Sequence, residues 1–137
     1  MGTVVNYPLS IIHYQLNNMK DGALQTKSFA FAIRIVNLYR FLTADKKEYV
    51  LSKQLLRSGT AIGALVREAE QAESKPDFVH KMAIALKEAN ETGYWILLLR
   101  ETDYLSDTES ESIHAETVEL LKLLTSIINS TKRGTDK

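Results

Sequence analysis

Between Leu51 and Ala72 the residues Leu51, Leu55, Ser58, Ile62, Leu65, Ala69 and Ala72 recur at steps of 4, 3, 4, 3, 4 and 3. A strand alternates every two residues and cannot keep this set on one face. A helix lying at a shallow angle on another helix can, and a seven-residue repeat is the signature of left-handed helix pairing. Gly59 and Gly63 sit four apart inside the same stretch. Each glycine costs about 1 kcal/mol relative to alanine in a helix interior. A second helix approaching closely at that point is the simplest reason for both.

The same periodicity extends along the chain. Leu24, Ser28, Phe31, Ile35, Leu38 and Leu42 predict a first helix over about 24–44, and the repeat just described predicts a second over about 48–73. Ser74-Lys75-Pro76-Asp77 combines a capping serine, a first-turn proline and an acid three residues on, a helix start. A third helix follows over about 75–105, with Phe78, Met82, Ala85, Ala89, Thr92, Ile96 and Leu99 as its stripe. After the break at Ser106-Asp107-Thr108, Ile113, Thr117, Leu120, Leu124 and Ile127 mark a fourth over about 109–131. Only two prolines and six glycines punctuate 137 residues, which suits long elements with few turns. The expected fold is all-α, an antiparallel up-down-up-down four-helix bundle over residues 22–132. It is preceded by an N-terminal arm (1–21) of undecided structure and followed by a polar tail (133–137).

Helix one carries a second apolar line, Phe29, Ile33, Val36 and Tyr39. A helix apolar on more than one side has more to bury than one bundle face covers. Either the core stripe is wide or helix one also meets another subunit.

Charge narrows the function. The formal net charge is zero, with 17 basic and 17 acidic residues. A protein that grips a phosphate backbone over a wide face is usually basic. The charges are segregated, however: residues 20–60 carry a net +5, residues 61–120 a net −8, and residues 121–137 a net +3. Lys46, Lys47, Lys53, Arg57, Arg34 and Arg40 are the candidate contacts for nucleic acid or a partner, with Tyr39, Phe41 and Tyr49 near them for stacking. Opposed patches serve self-association equally well. No basic start leads into an apolar run, no stretch approaches a membrane span, and cysteine is absent. A cytoplasmic protein with no membrane contact is the expectation.

Polar residues interrupt the stripes of helices two and three: Ser58, Glu88, Glu91 and Thr92, with Arg67 as a further candidate member of a structural polar network. Buried alone, such groups cost a few kcal/mol, so they need partners. Glu88 and Glu91 share a helix face and form the candidate pair for acid–base catalysis. The competing structural role is an ion pair with Arg57, Arg67 or Lys87 that fixes helix register. A cation sealing both carboxylates decides between the two. Bundle di-metal sites need two Glu-x-x-His motifs, and the spacing occurs once, at Glu111 and His114. No G-x-S-x-G, Walker-type or G-x-G-x-x-G motif is present. No metal and no cofactor are expected.

Two runs carry a family likeness. They are Gln54-Leu55-Leu56-Arg57-Ser58-Gly59-Thr60-Ala61-Ile62-Gly63-Ala64 followed by Arg67-Glu68-Ala69, and Asp77-Phe78-x-x-Lys81 followed by Ile84-Ala85-Leu86-Lys87-Glu88-Ala89-x-Glu91-Thr92-x-Tyr94-Trp95. Over about residues 25–130 the chain resembles the bacterial 23S rRNA intervening sequence proteins. At Leu65 that family often carries asparagine, which puts one polar contact between helices two and three in doubt. The resemblance implies a four-helix bundle, a ring-like homo-oligomer (a pentamer), and no catalytic residues. The family name records genes found inside rRNA insertions and not an activity. A related branch, the accessory proteins of diversity-generating retroelements, binds a reverse transcriptase and nucleic acid and tends to be basic, unlike this neutral chain. The expected function is a non-enzymatic homo-oligomeric bundle contacting RNA or a ribonucleoprotein. An adaptor for a protein such as a reverse transcriptase, docking on helix one, and an enzyme using Glu88 and Glu91 are the alternatives.

Overall fold

The structure, a computed structural model, describes residues 22–135. Four helices account for almost all of them: α1 (Ala23–Ala44), α2 (Leu51–Ala69), α3 (Lys75–Glu101) and α4 (Asp107–Thr135). Each helix packs on its chain neighbours, α1 on α2, α2 on α3 and α3 on α4. The short links make these neighbours antiparallel, as an all-α up-down-up-down bundle requires. α1 and α4 meet along a much shorter stretch, and the diagonal pairs do not approach. The arm expected over residues 1–21 lies outside the described residues.

The repeats land where their spacing predicts. Leu24, Phe31, Ile35 and Leu42 of α1, Leu55 and Ile62 of α2, Phe78, Met82, Ala85 and Ile96 of α3, and Leu120 and Leu124 of α4 are buried together. Leu38 and Leu65 are half-buried against this core. The second line of α1 is divided: Phe29 and Ile33 stand 61% and 50% exposed, while Val36 and Tyr39 are half-buried. The core stripe is therefore not simply wide, and among the described residues Phe29 and Ile33 are apolar groups left largely exposed.

Gly59 and Gly63 lie where α1 and α2 approach closely. A Cβ on Gly59 would lie 2.8 Å from Ile35 Cγ1, and one on Gly63 would lie 3.3 Å from the Ser28 carbonyl oxygen. The close approach inferred from their spacing is between these two helices.

The helix ends depart from expectation, each for a local reason. α2 begins at Leu51 and not at Glu48, because Glu48 turns back and accepts the Val50, Leu51 and Ser52 amides at 3.1, 3.0 and 2.6 Å. Those are first-turn donors that no helical carbonyl reaches. α2 stops at Ala69; Ala72 lies past its end yet stays buried. α3 starts on the expected cap, with Ser74 Oγ accepting the Asp77 amide at 3.2 Å and Asp77 accepting the Glu73 amide at 3.3 Å. It ends at Glu101, where Asp103 adopts a left-handed φ of 69°. α4 opens on a reciprocal pair, Ser106 Oγ taking the Glu109 amide and Glu109 taking the Ser106 amide, each at 3.1 Å. It runs on to Thr135, so residues 133–135 of the expected tail are helical. Lys132 and Arg133 lie in its last turn, where the helix dipole favours cations.

Candidate functional site

The polar residues of α2 and α3 meet at one place on the seam between the two helices. Thr92 Oγ1 donates to the Glu88 carbonyl (2.7 Å) and lies 3.0 Å from Ser58 Oγ, which in turn reaches the Leu55 carbonyl at 3.5 Å. Both hydroxyls are fully buried, and each has its partner. One helical turn outward, the Arg57 guanidinium donates to Glu88 at 3.3 Å and to Glu91. Glu91 also accepts the Trp95 indole N–H at 2.9 Å. The Trp95 bond, joined by Arg57, holds the Glu91 carboxyl below its ordinary range. Glu91 keeps the Arg57 guanidinium's pKa above its usual value.

A carboxylate pair gripped by one guanidinium, with one member made more acidic, is poorly suited to proton transfer near neutrality. The arrangement suits a clasp. Ser58–Thr92 and Arg57–Glu88–Glu91 can all form in one register of α2 on α3, because a slide by one turn separates every pair. The clasp is shallower than a buried ion pair: the Arg57 side chain is 49% exposed and that of Glu91 37%. Glu91→Ala is therefore expected to lower stability by about 0.5–1 kcal/mol, the range of exposed pairs, and not the several kcal/mol of a buried one. The Glu91 contribution is present above the ordinary glutamate pKa and fades as the pH falls through the lower folded value. Denaturant midpoints at two pH values check both statements. The inner pair behaves differently. Ser58→Ala and Thr92→Val are each expected to cost about 1–2 kcal/mol, and the double variant less than their sum, because removing both partners leaves no stranded hydroxyl.

Arg67 does not join this cluster. Ten residues along a helix from Arg57 amount to about 15 Å of rise and a net offset of about a quarter turn, which moves Arg67 well along α2 and round toward α1. There it lines a groove of about 270 Å³ between α1 and α2 with Gln25, Phe29, Thr60 and Glu70. Burial pushes the Glu70 carboxyl up, opposed by a hydrogen bond from Gln25 and by the Arg67 charge. The sequence places Trp95 beside Glu91 on helix three without foreseeing the bond between them, and gives no role to Gln25; an indole four residues after a glutamate is the signal that marks the first.

The candidate basic contacts are split by the fold. Arg34 is bonded to Glu116 and to Ser112 Oγ (2.8 Å) on α4, and Lys27 pairs with Glu119 at 3.2 Å. Arg57 is held in the clasp. Three cations of the positive segment are thus neutralised by acids of the negative one across the helix seams. What remains lies at the corner between α1 and α2: Arg40, Lys46, Lys47 and Lys53, all exposed. Lys46 sits 5.9 Å from the centre of the Phe41 ring and near Glu109. Tyr49 (59%) and Val50 (72%) are exposed between them.

Among the described residues no group of three or more His, Asp or Glu is placed to hold a metal ion, and no helix is long and apolar enough to cross a membrane.

Residues 20–126 match the model of the 23S rRNA-intervening sequence protein family. A crystal structure of a protein of unknown function from the S23 ribosomal protein family of Bacteroides thetaiotaomicron is 58% identical, with a TM-score of 0.80. The match covers 81% of this chain and 99% of that one. No functionally curated protein matches. The family match, the shared fold and the high identity agree, and this chain belongs to the 23S rRNA-intervening sequence protein family.

Proposed function

We propose that the protein is a non-enzymatic scaffold that assembles with copies of itself into a closed ring and contacts RNA or a ribonucleoprotein. The observation that carries the assembly is the placing of its uncovered apolar side chains. Phe29 and Ile33 project from α1, and Tyr94 (59% exposed) and Leu97 (37%) project from α3. α1 and α3 are diagonal in the bundle and do not touch, so the two patches face opposite ways. A patch that pairs with itself gives a dimer; two different patches give a head-to-tail contact, which closes into a ring when the turn from one copy to the next divides a full circle and runs on as a filament when it does not. A pentamer is the assembly that the family resemblance implies. The RNA contact rests on the basic corner left after Arg34 and Arg57 are paired within the chain.

Light scattering on the full chain tests the assembly. The parent is expected to give five times the 15.5 kDa of one chain, and Phe29→Glu/Ile33→Glu a single chain with its helical signal intact. A parent that runs as one chain overturns the ring. Co-purification with a reverse transcriptase in place of RNA would favour the adaptor role over RNA contact.

A further inference from the structure

The corner between α1 and α2 has a composition that self-association leaves unexplained. Four cations, Arg40, Lys46, Lys47 and Lys53, fall within fourteen residues. Among the described residues no carboxylate lies within ion-pair distance of any of them. The acid in their midst is turned away: Glu48 is buried, and its two oxygens are taken by three backbone amides. Asp45 is the one exposed acid in the segment. Along the chain an exposed aromatic residue, Tyr49, falls between Lys47 and Lys53 and is followed by the exposed Val50. The backbone holds this shape under strain, since Lys47 has a φ of 56°, a conformation that side chains other than glycine rarely adopt.

We infer that this corner binds unpaired RNA, with Tyr49 stacking on a base and Arg40, Lys46, Lys47 and Lys53 holding the phosphates on either side. This deepens the RNA half of the proposed function and rests on it. Cations beside an exposed aromatic face match the two things a single strand offers, a charged backbone and free base faces. A duplex offers only the first. The corner is two helix ends joined by a short turn, and the major groove of double-stranded RNA is too deep and narrow for side chains to read. An acidic protein surface would satisfy the cations and leave the ring without a role.

Fluorescence anisotropy with a labelled, unstructured RNA of about 20 nucleotides, at about 50 and about 200 mM salt, tests the inference on the full chain. The parent is expected to bind more weakly at the higher salt. Tyr49→Ala is expected to weaken binding about 5- to 100-fold at both salts. Lys46→Gln/Lys47→Gln/Lys53→Gln is expected to flatten the slope of log affinity against log salt by about 2. Lys47→Gly supplies a control that a folding defect cannot imitate. Glycine accepts the left-handed backbone, so this variant should unfold no earlier than the parent and still bind RNA less tightly. Absence of binding at the lower salt would overturn the corner and the RNA reading together. Binding that survives Tyr49→Ala and the triple change would place RNA elsewhere and overturn the corner alone. Equal competition by duplex RNA or by polyglutamate would overturn the assignment of unpaired RNA as the ligand.

Discussion

Ile35→Ala is expected to destabilise the bundle by about 2–5 kcal/mol, Gly59→Ala by about 1–3 kcal/mol, and the double variant by clearly less than the sum. Ile35 is fully buried, so truncating it loses its transfer energy and leaves a cavity in a core that closes only partly. Gly59→Ala acts in the opposite sense. Its new Cβ would stand 2.8, 2.9 and 3.0 Å from Ile35 Cγ1, Cγ2 and Cδ1. A β-branched side chain packed on all sides has little room to swing away. The gain in helix propensity, about 1 kcal/mol, offsets only part of that clash. In the double variant the added methyl enters the space that Ile35 vacates. Urea unfolding of the four proteins gives the coupling directly. Strict additivity would mean that α1 and α2 do not meet at Gly59.

The second large effect concerns Glu48. Glu48→Ala is expected to cost about 2–4 kcal/mol, because the first-turn amides of α2 lose a charged acceptor in a buried setting. That loss exceeds the usual cap deletion of about 1 kcal/mol, since one carboxylate serves three donors. Burial pushes the Glu48 carboxyl up, and the amides of Ser52, Leu51 and Val50, with the Ser52 hydroxyl, outweigh it, so the net shift is downward. A carboxyl whose folded pKa is depressed binds fewer protons in the folded chain than in the unfolded one. Its contribution is therefore present above the ordinary glutamate value of about 4.3. It is lost as the pH falls through the lower folded value. Parent and Glu48→Ala should differ most near neutrality and converge in acid. Glu48→Gln keeps one acceptor oxygen and should fall between them without that convergence. A pH-independent gap between parent and Glu48→Ala would show that the carboxylate charge does not matter to the cap.

Glu48 also shows what the sequence conceals. The helices were legible because burial follows spacing: Leu55, Ile62, Phe78, Ile96 and Leu124 are buried as their repeats require. Helix ends obey local chemistry instead. Glu48 has good helix propensity, and only the fold reveals that its side chain serves the amides that follow it. α4 runs past Thr131 because Lys132 and Arg133 form helix readily and need no core to do so. The clasp was half legible. Opposite charges and shared stripes brought Arg57, Glu88 and Glu91 together, but Arg67 was placed with them by charge alone when its angle around α2 puts it on another face. The segregated charge was the least transparent feature. Counting along the chain shows blocks of opposite sign, and only the packing shows that Arg34 and Glu116, or Lys27 and Glu119, neutralise each other.

The order in which the helices pack has a kinetic consequence. α1 finds α2, α2 finds α3, and α3 finds α4, each partner being next along the chain. Such neighbours meet without closing long loops, and chains rich in local contacts fold fast. The one junction that joins distant parts of the sequence is the narrow strip between α1 and α4, bridged by Lys27–Glu119 and Arg34–Glu116. That strip is held in part by ion pairs that salt screens. The molecule is in effect a chain of hairpins with a latch, and opening at the latch parts α1 from α4 while α1 stays packed on α2.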